Sequence, residues 1–326
     1  MARGANLGVS LLAMDDWIAP RGLKVVNRER LRALSQRSDL RGWVQTASHI
    51  GAIAASTTGL AVLVPTSPAL WLPLFLIQGV LINCLYAGQH ELSHWTVFRT
   101  KWLNDLVGHL FGFATLNPFY TDRFIHFAHH RATHDPRRDP EIMAGAYTLT
   151  TYLLDFSGVS FWWRRVTGIL RTAAGQGLED AYWLGPRERA IVVRENRITV
   201  ALWAAIAALS IALGSWAALT VWIAPMFLTK WFHQLQNMGE HTGLPHDPDT
   251  FRNTRTLRGP APMRWLVWNM SYHTAHHSFP GVPFHALPAL HREIEARLDH
   301  PVVTRGYLEA QRDIFAYLKS QRRVAA

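Results

Sequence analysis

The chain has 326 residues, 49% of them hydrophobic and only 17% charged, with a formal net charge of +10 and a single cysteine. One thiol excludes an intramolecular disulfide framework and any multi-thiolate metal site, so metal chemistry here must rest on histidine. No zinc-finger, RNP-type or helix-turn-helix signature accompanies the positive charge, and the arginines flank apolar blocks, which excludes nucleic acid and points to a membrane surface.

Residues 1–43 read as a basic, amphipathic cytoplasmic arm, with Arg21, Lys24, Arg28, Arg30, Arg32, Arg37 and Arg41 around Val25, Val26, Leu31 and Leu34. The extreme N-terminus has one early arginine and a short apolar run ending in Asp15 and Asp16, which does not make a signal peptide. From Gly42 to Gln89 there is no Asp, Glu, Lys or Arg. That is too long for one crossing of the hydrocarbon, which takes about 20 helical residues. Pro65-Thr66-Ser67-Pro68 offers the break, so residues 44–94 are expected to form a transmembrane hairpin of helices at 44–64 and 69–94. The first is interrupted by Gln45, Ser48, His49, Ser56, Thr57 and Thr58; a buried core helix is the bland alternative.

Residues 95–195 form a cytoplasmic or interfacial region. Within it Trp162 and Trp163 adjoin Arg164 and Arg165, as in a helix lying on a bilayer or an amphipathic helix of a cap. A second charge-free block, Ile198–Thr229, again exceeds one span. With a turn at Gly214-Ser215 it predicts a second hairpin over 196–241, its helices at 196–213 and 216–241, with Pro225 placed to kink the latter. Residues 242–326 carry the charged, periodic helices of a cytoplasmic region. The fold class expected is all-α: four transmembrane helices in two hairpins and a cytoplasmic helical cap. Lys and Arg concentrate in the N-terminal arm, the 95–195 region and the C-terminal region, so both termini are expected on the cytoplasmic side.

The chemistry lies in three histidine clusters. HELSH places His90 and His94 four apart; HFAHH places His126, His129 and His130 at helical spacing; HTAHH repeats that pattern at His273, His276 and His277. Residues three and four apart share a helix face, so each set can converge on one point. Neutral imidazole binds Zn, Cu, Fe and Ni, and eight such histidines exceed the needs of one four-coordinate ion, which makes two metals the economical reading. His233, Asn237 and His241 lie four apart at the end of the expected fourth span. His134 lies one turn beyond His130 and stays open. His49, His109, His246, His285, His291 and His300 read as structural or solvent-facing. Glu91, Asp135, Asp139, Glu141, Glu240 and Asp247 are close enough in sequence to orient imidazoles. A metal transporter would put its ligands mid-membrane, and a bis-histidine haem protein would pair them within the spans; here they gather at one mouth.

The three boxes, with HHRATHDPRRDPE after the second and HHSFPGVPFHALPALH after the third, resemble the integral-membrane fatty acid desaturase superfamily over about residues 45–295. The resemblance implies nine ligands, His90, His94, His126, His129, His130, His241, His273, His276 and His277, holding two non-haem iron ions, with Asn237 reaching a metal through water. It implies O2 as co-substrate and removal of hydrogen from an unactivated alkyl chain, a fatty acyl lipid by default. A hydroxylase of the same superfamily, acting on a lipid, carotenoid or other apolar-tailed molecule, is the alternative. No cofactor or redox segment is recognisable in the chain, so a separate electron donor, a ferredoxin or a cytochrome b5-type protein, is implied. Arg131, Arg137, Arg138, Arg252, Arg255 and Arg258 are candidates to dock it.

Overall fold

The structure, a computed structural model, describes residues 25–63, 67–142 and 147–324. The N-terminal arm over residues 1–24 and Pro65 and Thr66 of the expected hairpin break lie outside the described residues. Helix α1 (Arg28–Leu34) starts where Asn27 Oδ1 accepts the Arg30 amide at 2.7 Å. Helix α2 (Asp39–Val62) is capped by Ser38, whose hydroxyl accepts the Arg41 amide. It therefore begins at Asp39 rather than at 44, because a cap sets a helix start while loss of charge marks only where apolar surroundings begin.

Helix α3 (Trp71–Ser93) is the centre of the molecule. It packs against α2, α4 (Lys101–Ala114) and the segment around Pro225. Its glycines make this approach possible: a Cβ on Gly79 would fall 2.0 Å from the Pro225 carbonyl oxygen, and one on Gly88 would fall 2.8 Å from the Trp268 ring. Leu85, Leu92, Phe98, Phe111 and Trp268 are buried around it. Beyond α4 come α5 (Phe119–Arg131), α6 (Leu149–Phe156), α7 (Val159–Ala173) and α8 (Pro186–Ala212). The last starts ten residues before the expected 196, with Pro186 in the first turn, where its missing N–H costs nothing.

The expected helix over 216–241 is three pieces: a π-turn (Leu219–Ile223), α9 (Ala224–Leu228) and α10 (Lys230–His241). Pro225 has no N–H for the Val221 carbonyl four residues back. That carbonyl instead accepts from Gln78 Nε2 of α3 at 2.9 Å, and the Met226 carbonyl accepts from Asn83 Nδ2 at 2.7 Å. Two α3 side chains thus take up what the break releases, as neighbouring helices do in apolar surroundings. Among the described residues, two helices, α3 and α8, are long and apolar enough to cross a membrane. Helix α2 is long but more polar, and the apolar Leu219–Leu228 stretch is short.

The C-terminal region holds α11 (Thr250–Asn253), α12 (Ala261–Leu266), α13 (His273–Ser278), α14 (Leu287–Glu295) and α15 (Tyr307–Val324). The all-α expectation needs one correction here: β1 (Thr256–Arg258) and β2 (Thr304–Gly306) pair in parallel, Leu257 opposite Arg305. Strands of three residues are too short to show a two-residue period. The N-terminal residues Val25, Val26 and Leu34 pack on Leu287, Leu290 and Ile294 of α14, tying the two ends of the described chain together.

Candidate metal centre

Four helix ends supply the imidazoles. His90 lies in the last turn of α3 and His94 caps it. His126, His129 and His130 occupy the last turns of α5, His241 ends α10, and His273, His276 and His277 lie on α13. All nine are gathered in one place, but not box by box. The ligand nitrogens of His90, His94, His126, His130 and His276 lie within 4.8 Å of one another, and those of His129, His241 and His277 form a second such group. Each HxxHH box is therefore split, and the expectation that one box converges on one point is corrected. His276 turns to the first group and His277 to the second, because adjacent residues on a helix point about 100° apart.

Within the first group the Nε2–Nε2 separations are 2.9 Å for His90–His276, 2.7 Å for His94–His126, 2.9 Å for His126–His130 and 3.1 Å for His130–His276. In the second, His129 and His277 stand 3.3 Å apart. His273 Nε2 joins it at 2.8 Å from His241 Nε2. Nitrogens bound at ~2.1 Å to one ion at right angles would be about 3 Å apart, so the spacing fits a shared cation in each group.

The outer nitrogens fix which face points inward. His129 Nδ1 lies 2.8 Å from Asp139 Oδ2, and His241 Nδ1 lies 3.0 Å from the Asn253 carbonyl oxygen. His276 Nδ1 stands 3.1 Å from Glu91 Oε1, and His273 Nδ1 stands 3.3 Å from Glu240 Oε1. A carbonyl or carboxylate accepts only from N–H, so His129 and His241 each carry a proton on Nδ1 and turn Nε2 inward. Lone pairs of several such rings meeting at ~3 Å repel unless a cation sits between them. Burial pushes His126, His130 and His277 well below the ordinary imidazole range, which keeps them neutral, the form in which an imidazole can bind a metal. At His129 burial acts the same way, but Asp139 and Glu141 outweigh it and hold its pKa up to about 9.

Of the expected orienting acids, Glu91, Asp139, Glu141 and Glu240 do face box imidazoles. Asp135 and Asp247 turn instead to Arg138 and Arg252. Arg255, expected on a docking surface, is buried, its guanidinium donating to the carbonyls of Gly239 and Thr242. Asn237 is exposed on α10. His233 belongs to neither nitrogen group and contacts Lys230 Nζ at 3.1 Å. His134, with a left-handed φ of 65°, places Nδ1 on the Pro245 carbonyl. The Asn253 carbonyl and Thr133, whose hydroxyl lies 3.3 Å from His277 Nδ1, are site residues that sequence reading missed. Neither carries a signal of its own, since one acts through its backbone and both are distant in sequence from the rings they touch.

A family model described as fatty acid desaturase matches residues 66–308, and the chain belongs to that family. It is similar to an sn-1 oleoyl-lipid 12-desaturase of Picosynechococcus, 22% identical over 81% of this chain and 79% of the relative. A protein of the same description from Arthrospira platensis is 21% identical over 76% of this chain and 74% of its own length. A Nostoc protein, an sn-1 acyl-lipid omega-3 desaturase (ferredoxin), is 38% identical over a short stretch covering 20% of this chain and 18% of that one.

Proposed function

We propose that the protein is a membrane-bound, O2-dependent oxidoreductase that desaturates an acyl lipid at a centre of two non-haem irons. The observation that carries this is the pair of buried imidazole groups whose Nε2 atoms point at each other at metal-sharing distances. His90, His94, His126, His130 and His276 would hold one ion and His129, His241, His273 and His277 the other, with Asn237 contributing through water. Two reduced irons supply the means to activate O2 for removing hydrogen from adjacent unactivated carbons. The chain's own part is to keep rings such as His126, His130 and His277 neutral, fix the tautomers of His129 and His241 through Asp139 and the Asn253 carbonyl, and keep bulk water from the centre. Electrons come from a separate donor of the ferredoxin or cytochrome b5 type.

The relatives act, by their descriptions, on acyl lipids, which supports the substrate class. The exposed apolar face of α8, with Ile198, Leu202, Leu209 and Ile211, suits lipid better than water. In this reading α2, α3, α8 and the broken 216–241 segment make four spans, with both termini and the metal centre on the cytoplasmic side. Metal analysis of the detergent-purified protein, beside lipid extracts of cells expressing wild type or His276→Ala, tests the proposal. About two irons per chain and new double bonds only with the wild type are expected. Oxygenated lipids in their place would make it a hydroxylase, and absence of bound transition metal would overturn the di-metal centre.

A further inference from the structure

Lys230 opens α10 and is 4% exposed, yet no carboxylate among the described residues lies within ion-pair distance of it. Its ammonium stands 3.7 Å over the Phe161 ring, and the Arg165 guanidinium stands 5.0 Å over the same ring. Two cations therefore flank one aromatic side chain. The carboxylates that act on Lys230 from farther off, Asp155 and Asp122, are already engaged. Asp155 accepts from Arg164, Ser160 and Tyr147, and Asp122 accepts from Gln89. Burying one unpaired ammonium is costly, and a second cation beside it adds repulsion.

The seat is nevertheless built. Gly158, with a left-handed φ of 89°, leaves the room that Lys230 occupies; a Cβ there would stand 2.8 Å from the Lys230 Cβ. His233 Nδ1 meets the ammonium at 3.1 Å, and the Tyr86 ring lies edge-on between His233, at 5.1 Å, and His90 of the metal centre, at 6.3 Å. An aromatic wall thus runs from the cation pair to the imidazoles. Lys230 and His241 stand at opposite ends of α10, roughly 16 Å apart along its axis. Arg165 lies on α7, whose Trp163 is 72% exposed beside Arg164, the pattern of a helix at a bilayer interface where lipid head groups sit.

We propose that Lys230, with Arg165 and His233, binds the oxyanion at the head of the acyl substrate, a lipid phosphate or a fatty carboxylate, and so sets how far along the chain the metal centre reaches. This rests on the acyl-lipid reading above and specifies its head-group chemistry. The test uses the detergent-purified full chain and binding rather than turnover. Dioleoyl phosphatidylglycerol, dioleoylglycerol (the same chains without phosphate) and oleate are titrated against wild type, Lys230→Met and Arg165→Gln.

An oxyanion-bearing lipid should bind wild type at least about tenfold more tightly than dioleoylglycerol, the worth of one charge-assisted hydrogen bond. Both variants should lose that preference while keeping their iron and their dioleoylglycerol affinity. Preference for the phospholipid assigns a phosphate, and preference for oleate a carboxylate. Equal binding of all three by wild type, or a preference that survives in the variants, overturns the proposal and leaves Lys230 a neutral packing amine. If Lys230→Met does not fold, Arg165→Gln carries the same comparison alone. Failure of the di-iron desaturase reading shows separately, as missing iron or missing double bonds in wild type.

Discussion

His276 and His129 lie on different elements and in different nitrogen groups; Asp139 holds His129 by a hydrogen bond, while Glu91 stands 3.1 Å from His276 Nδ1. That arrangement separates two predictions. His129→Ala removes a ligand from the smaller group, and iron per chain should fall toward one while turnover vanishes. Asp139→Asn keeps the shape but weakens the hold on the ring, and metal affinity should drop roughly 10–100-fold. Iron titration with a competing chelator checks both; unchanged two-iron loading in His129→Ala would break the ligand assignment, and unchanged affinity in Asp139→Asn would remove Asp139 from the support of that ring. That these histidines come together was readable from spacing, because residues three and four apart on a helix share a face. How they divide into two nitrogen groups was not. That depends on outward partners such as Asn253 and Glu91, brought in from other elements.

Away from the site, His285 touches Arg41 at 2.9 Å, and burial followed by that positive charge pushes its pKa down to about 4. An imidazole with a lowered folded-state value stabilises the fold above its unfolded value of ~6.5 and loses that contribution as pH falls toward 4. Melting temperature should therefore decline between pH 6.5 and 4, and His285→Gln should flatten part of that decline. An identical acid limb in the variant would assign the loss to other groups.

At the scale of elements, α3 and the broken segment form one unit. Asn83 Nδ2 donates to the Met226 carbonyl, to the Gly79 carbonyl and to the Thr229 hydroxyl. Asn83→Leu would leave the Met226 carbonyl buried without that donor, at a cost of about 1–3 kcal/mol. A lower melting temperature with iron content retained is expected; an unchanged melt would mean that the break holds without α3. Gly79→Leu should do worse, since the Pro225 backbone fills the space. Pro225 was visible in the sequence as a kink, whereas Gln78 and Asn83 drew no reading within their apolar run. Their pairing was not visible, because 143 residues separate each from its partner carbonyl. The helix starts at Asp39 and Pro186 were misplaced for a related reason: charge marks the edge of an apolar region, and helices run through such edges.

For the whole molecule, the question is how the two apolar pairs sit in a bilayer. Among the described residues only α3 and α8 are both long and apolar enough to cross, while α2 carries nine polar or charged side chains and the fourth segment is interrupted. The proposed four spans are supported where α3 satisfies polar groups of its neighbours. His49 of α2 lies 2.9 Å from the Leu81 carbonyl oxygen, and Gln78 and Asn83 cover the fourth segment. Hydropathy counts each helix alone and misses such pairing, so the polar side chains of α2 lower its average, while the fourth segment is apolar but broken into short pieces. The single native cysteine, Cys84, is buried, so cysteine labelling starts from a nearly silent background. Gly214-Ser215 is an exposed turn at the tip of the second pair, and Ser320 lies exposed near the C-terminus. In intact cells Ser215→Cys should react with a membrane-impermeant maleimide, while Ser320→Cys should react only after permeabilisation. Labelling of both from one side would mean that the α8 hairpin lies along the membrane instead of crossing it, and the metal centre would then need a different orientation to the bilayer.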